Sequence, residues 1–314
     1  MKNTLLILIL SLFFFSCKEK STSPIEEEGE FDPASVSISS LVNHVDILSG
    51  VQSFSLDSAT YTITSRNKFS EGNNLAAEYI ESQLNEYGYT VENQWFSETG
   101  RNLIVTKYGR DYPHEYIILC AHYDSMPSEG NAPGADDNAS GTALVLEAAR
   151  LFKSMRLSYS VIFAFWDEEE YGFLGSGYYA GRAVDSLEIH LVLNADMIAY
   201  DHDNDNIMGL YNSTSESTIP YVESIEQINN DYNFYIDLHR MNSYASSDDR
   251  AFGRVGFNSI GFVEIHTGAD RTDINPYWHS SEDTIDKFNL NFYERMCRLL
   301  ITSLVKISDA RVIE

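Results

Sequence analysis

Glu115–His122 reads EYIILCAH, Gly141–Met155 reads GTALVLEAARLFKSM, and Ser160–Trp166 reads SVIFAFW. Two short apolar runs flank a segment with apolar residues at helical spacing, so the stretch predicts a strand, a helix and a second strand. Neither strand alternates apolar with polar residues, which points to burial on both faces of a sheet. The pattern continues outward. A short helix is expected around Leu174–Val184, strands at Ile189–Ala199, Asn206–Ser213 and Ser259–Ile265, and helices at Ile219–Asn229 and Phe288–Ser308. Toward the N-terminus, helical spacing covers Ser37–Ser49 and Asn74–Gly88, and strands are expected at Tyr89–Phe96 and Asn102–Gly109. The expectation is a single α/β domain over 38–314, its central mixed, mostly parallel twisted sheet flanked by helices on both faces.

The 314 residues carry 21 Lys and Arg against 47 Asp and Glu, a formal charge of −26. Nucleic acid and anionic membrane surfaces are thereby excluded as partners, because both need a basic face; cations are the natural ligands. Residues 1–17, MKNTLLILILSLFFFSC, have one early Lys and an apolar run too short to span a bilayer comfortably, the build of an export signal. Cys17 directly behind Ser16 resembles a bacterial lipoprotein processing site. The expected location is therefore the periplasm or cell envelope, lipid-anchored at Cys17, with a secreted soluble protein as the alternative. Residues 18–37 are charged, contain Pro and Gly, and are expected to form a flexible acidic tether. Cys120 and Cys297 fall in apolar contexts and read as small buried hydrophobes.

In open α/β sheets, ligands bind at the carboxyl ends of the strands. There the sequence places His122 and Asp124, then Asp136 and Asp137, Glu169 and Glu170, Asp196, and later His279. Imidazole plus carboxylate is a ligand set for divalent zinc in hydrolases, and a pair of ions needs one bridging acid. The four acids Asp167–Glu170 directly follow a buried run, and Asp167 and Glu168 are expected to be peripheral. His44, His114, His190, His202 and His239 are expected at the surface or in satisfied structural roles; His266 ends a strand near the proposed site, where a substrate-side role is the lesser alternative to the same bland reading. Asp201–Asn206, DHDNDN, lacks the Gly and Glu of a calcium loop and reads as a solvated acidic hairpin.

In order, AHYDS, PGADDNASG, WDEEEYGFLGS, NADMI and NPYWHSSEDT resemble the metal-site motifs of the co-catalytic zinc aminopeptidases of peptidase family M28, from about Ser65 to the last helix. The resemblance implies a zinc-exopeptidase-like fold and two zinc ions per chain. His122, Asp137 and Asp196 would hold one ion; Asp137, Glu170 and His279 the other. It makes Glu169 the general base that takes the proton of the attacking water, and Asp124 the residue that orients His122. Where the family often has Tyr before the last His, this chain has Trp278, with Tyr277 one earlier, so either is a candidate to polarise the carbonyl. Asp248, in SDDRAF, sits where the family usually reads Ser-Asp-His and is a candidate near the cleft; an N-cap explains it equally well. The implied activity is a monomeric metallo-aminopeptidase acting on peptides with a free N-terminus. Alternatives are a glutaminyl cyclase with one zinc, a carboxypeptidase using Arg250, Arg254 or Arg271 to hold a substrate carboxylate, and a surface binding lipoprotein without catalysis.

Overall fold

In the computed structural model, which describes residues 28–265 and 274–313, the strand–helix–strand unit lies at the centre of an eight-stranded sheet. Its strands are β1 Glu92–Trp95, β2 Arg101–Lys107, β3 Tyr112–His122, β4 Tyr159–Trp166, β5 Glu188–Asp196, β6 Ile207–Tyr211, β7 Asp237–Arg240 and β8 Ser259–Val263. The order across the sheet is β7-β6-β8-β5-β3-β4-β2-β1. Pairing is parallel through β8, β5, β3 and β4 and again between β6 and β7; the β1–β2, β2–β4 and β6–β8 pairs are antiparallel. The helices are α1 Ile38–Leu48, α2 Glu71–Glu86, α3 Gly141–Phe152, α4 Leu174–Ala183, α5 Ile219–Asp231, α6 Asp249–Arg254 and α7 Leu290–Ile307.

The period of two along each central strand sorts side chains onto two cores. Ile117, Leu119, Ala121, Val161, Phe163 and Phe165 join the larger core with α1, α2, α3, α5 and α7. Ile118, Cys120, Ile162, Ala164 and Trp166 join a smaller core with Tyr179 of α4 and Phe252 of α6. Burying a side chain of this size contributes roughly 1.5–3 kcal/mol. The helices thus cover both faces, and the continuous apolar runs in β3 and β4 follow from that. At the start of α3 the fit is close: a Cβ on Gly141 would stand 2.3 Å from the Ala195 carbonyl oxygen.

The structure departs from the sequence expectation at particular places. Residues 28–37 are not tether. Glu28–Gly29 pairs antiparallel with Val312 and Ile313, Phe31 and Val36 are buried, and the Ser37 N–H donates to Glu147 Oε1 at 2.8 Å. Burial of Phe31 and Val36 outweighs the charged composition around them; the rest of the expected tether, like Cys17, lies outside the described residues. Met155–Leu157 leaves the expected helix to pair with Ala310–Val312. Strand β7, reading DLHR, is polar and exposed along an edge, so no apolar signal marks it.

Candidate metal centre

Because β3, β4, β5 and β8 run parallel, their carboxyl ends meet at one edge of the sheet. His122 ends β3, Asp196 ends β5, and Asp167–Glu170 follows β4. Asp137 comes from the turn ahead of α3, and His279 from the segment before α7, where its φ of 56° turns the backbone toward the cluster.

Asp137 stands between the two imidazoles. Its Oδ1 is 3.3 Å from His122 Nε2 and its Oδ2 is 3.3 Å from His279 Nε2. Asp196 Oδ1 is 3.3 Å from His122 Nε2, and Glu170 Oε2 is 2.6 Å from His279 Nε2. Two three-residue sets result, His122–Asp137–Asp196 and Asp137–Glu170–His279, each with its ligand atoms within 4.8 Å of one another. Glu169 Oε2 lies 4.0 Å from His122 Nε2, beside the cluster.

The electrostatics are those of a site built for cations. Burial opposes charge on His279, yet Asp137 and Glu170 outweigh it and raise the imidazole to about 10. His122 is likewise raised, against burial, by Glu169, Asp196, Asp124 and Asp137. Burial and then the charge of Asp137 push Glu170 up to about 8, and Glu169 is driven well above the usual carboxylate range chiefly by burial. Among the described residues Glu170 Oε1 is buried with no hydrogen-bond partner. Crowded carboxylates, an orphaned oxygen and two imidazoles fit divalent cations with N and O preference, zinc among them.

Asp124 supports the cluster from behind. Its Oδ1 is 3.4 Å from His122 Nδ1 and accepts the Glu169 N–H at 3.0 Å, while Oδ2 accepts the Glu170 N–H at 3.3 Å. Asp136, the neighbour of Asp137, points elsewhere, accepting from Ala199 N–H and Asn275 Nδ2. Asp167 and Glu168 stand outside the cluster but are buried: Asp167 accepts from Asn73, Arg101 N–H and Tyr123, and Glu168 pairs with Lys68 at 3.0 Å. Asp248 begins α6 without capping it and is fully buried, and burial raises it to about 7.

A cavity of about 490 Å³ opens over the cluster. Trp278 lines it, its ring 4.0 Å from that of His279. Tyr277 does not: the ring sits under Lys287 Nζ at 4.9 Å, turned away by the tight bend in which its N–H donates to Asn275 Oδ1. His44 is buried and bonded to Tyr79, and Asp201 accepts from Asn289 beside an exposed acidic loop. His266 and Arg271 lie outside the described residues.

Sequence reasoning passed over Arg66. It is fully buried, and its guanidinium donates to the carbonyls of Leu48, Tyr123, Pro133 and Gly134 at 2.6–2.8 Å. It thereby ties the strand end carrying His122 to the turn carrying Asp137. Burial lowers it to about 10, against the pull of Asp283, Asp137, Asp124 and Glu170. Asp283 was also missed; it accepts the Asp136 and Asp137 N–H groups and so holds the backbone of Asp137. Only proximity in space marks either residue.

A model of peptidase family M28 matches residues 102–304, which carry all five residues of the two sets. This chain belongs to peptidase family M28. Among M28-like relatives, a probable aminopeptidase of Saccharomyces cerevisiae is 30% identical over 66% of this chain and 57% of its own length. A probable lipoprotein aminopeptidase, LpqL of Mycobacterium tuberculosis, is 31% identical over 63% of this chain and 43% of its own. The chain thus spans only about half the length of these relatives. The crystal structure of the Legionella pneumophila LapA aminopeptidase shares the fold, with a TM-score of 0.73 at 20% identity over 88% of this chain and 73% of that one.

Proposed function

We propose that this M28 chain is an aminopeptidase that holds two zinc ions, one at His122, Asp137 and Asp196 and one at Asp137, Glu170 and His279. The observation that carries the reading is Asp137, whose two oxygens face two different imidazoles at equal distance. When bound, a zinc pair lowers the pKa of water and polarises a peptide carbonyl. The chain's own residues do the rest. Glu169, at the rim of the cluster, accepts the proton of the attacking water and returns it to the leaving amine. Asp124 fixes the His122 ring and the Glu169–Glu170 backbone together, so base and ligands keep one geometry. The acidic cavity favours a free α-ammonium group at the substrate's N-terminus. A one-metal cyclase needs only half of this ligand set, and the presence of both halves supports the paired reading.

We also propose export with a lipid anchor at Cys17; the signal-like N-terminus and the lipoprotein relative support it. Among the described residues no helix is long and apolar enough to cross a membrane. The activity is tested with aminoacyl anilides and N-blocked peptides, before and after chelation. Cleavage of unblocked substrates that stops on chelation and returns with zinc is expected; equal cleavage of blocked substrates would end the aminopeptidase reading. For the anchor, Cys17→Ala should move the chain from the membrane to the soluble fraction.

A further inference from the structure

One wall of the cavity is unlike the rest. The loop between β7 and α6 and the first turns of α6 contribute Ser243, Tyr244, Ser246 and Arg250 to its lining, while Asp137, Glu169, Glu170 and Asp196 line the metal end. Arg250 is the cation of that wall, and His279 lies at the metal end. In a chain of charge −26, a guanidinium would ordinarily find a carboxylate. Among the described residues none lies within ion-pair distance of Arg250. Asp249, next in sequence, is turned inward and accepts the Ala245 N–H at 2.9 Å. The hydroxyls of Ser243, Tyr244 and Ser246 likewise make no hydrogen bond among the described residues. Tyr244 is seated by packing: a Cβ on Gly253 of α6 would fall 2.2 Å from its ring, so the glycine makes room for it. One cation and three hydroxyl-bearing residues therefore line the same cavity as the metal ligands, their donors without acceptors among the described residues.

We propose, resting on the aminopeptidase reading, that this wall binds a substrate carboxylate, with Arg250 as its ion-pairing partner. A guanidinium's paired N–H groups match a carboxylate, and a charged hydrogen bond in a part-buried site is worth enough to select substrates. The carboxylate is either the side chain of an acidic N-terminal residue or the C-terminus of a short peptide. The chemistry of the wall is the same for both.

The test uses the full zinc-loaded chain and two pairs of substrates. Glutamyl anilide against leucyl anilide reads a side-chain carboxylate; leucylglycine against its C-terminal amide reads a terminal one. In at least one pair the carboxylate member is expected to have the higher kcat/KM, by about 10- to 100-fold. Arg250→Met should erase that ratio, and Arg250→Lys should keep part of it, as a charge without the planar fork. Ratios near unity in the wild type, or unchanged in Arg250→Met, would overturn the proposal while leaving aminopeptidase activity standing. If no substrate is turned over, calorimetric binding of the same four compounds decides. Arg250-dependent preference for the carboxylate member would then retain this site and remove the peptidase reading, and equal binding would remove both.

Discussion

Glu169 and Glu170 are adjacent, yet the structure gives them different surroundings. Glu170 Oε2 is 2.6 Å from His279 Nε2, whereas Glu169 stands 4.0 Å from His122 with room toward the cavity. Glu169→Gln should therefore keep zinc while kcat falls by about 100-fold or more, the usual scale of a lost general base. Glu170→Ala should lose zinc first. Metal content by elemental analysis, measured beside turnover, separates the two; equal zinc loss in both variants would contradict the division of roles. His44 makes a residue-scale statement about stability. Burial lowers its pKa from the ordinary 6.5 to about 4, so the folded state keeps it neutral where the unfolded chain binds a proton. Stability is therefore lost as pH falls from 6.5 toward 4, by about 3 kcal/mol from this group alone. His44→Gln should remove that part of the slope in urea titrations run across the window, and an unchanged slope would refute it.

At the scale of elements, the site depends on strand ends and turns being fixed to one another. Arg66 does this through four carbonyls, on α1, after β3 and ahead of α3. Arg66→Met leaves those buried acceptors unpaired, and a loss of about 3–5 kcal/mol is expected, read as a lower denaturation midpoint. Zinc affinity should weaken with it, because His122 and Asp137 lie on the segments it joins. A variant with wild-type stability would show that the clamp is dispensable. The long elements were legible because their signal is periodic burial: β3, β4, β5 and α7 lie where their apolar spacing put them. Edge strand β7 and helix α6 were not, since short polar segments carry no such period. The five residues of the two candidate sets were legible as a group through the family motifs that carry them, and the structure brings them together. Arg66, Asp283 and the inward turn of Asp136 were not, because an Arg or Asp in a loop looks the same in sequence whether solvated or buried.

For the whole molecule, the excess of acid is partly concentrated in a buried centre that holds protons when metal is absent. The surrounding carboxylates raise both His279 and His122 against burial, so the metal-free cluster favours bound protons on its imidazoles. Zinc uptake must displace them. Affinity should rise with pH, and calorimetry in buffers of different ionisation enthalpy should show net proton release; a buffer-independent heat would rule this out. The sequence by itself determined the layered α/β plan and the metal-ligand types, since apolar period and side-chain chemistry are local properties. Only the tertiary structure decided that Asp136 turns to Ala199 and Asn275, that Tyr277 turns from the cavity while Trp278 lines it, and that Arg250 finds no carboxylate within ion-pair distance among the described residues. Those are outcomes of orientation and of which groups meet across the fold, and both depend on packing between segments far apart in the chain.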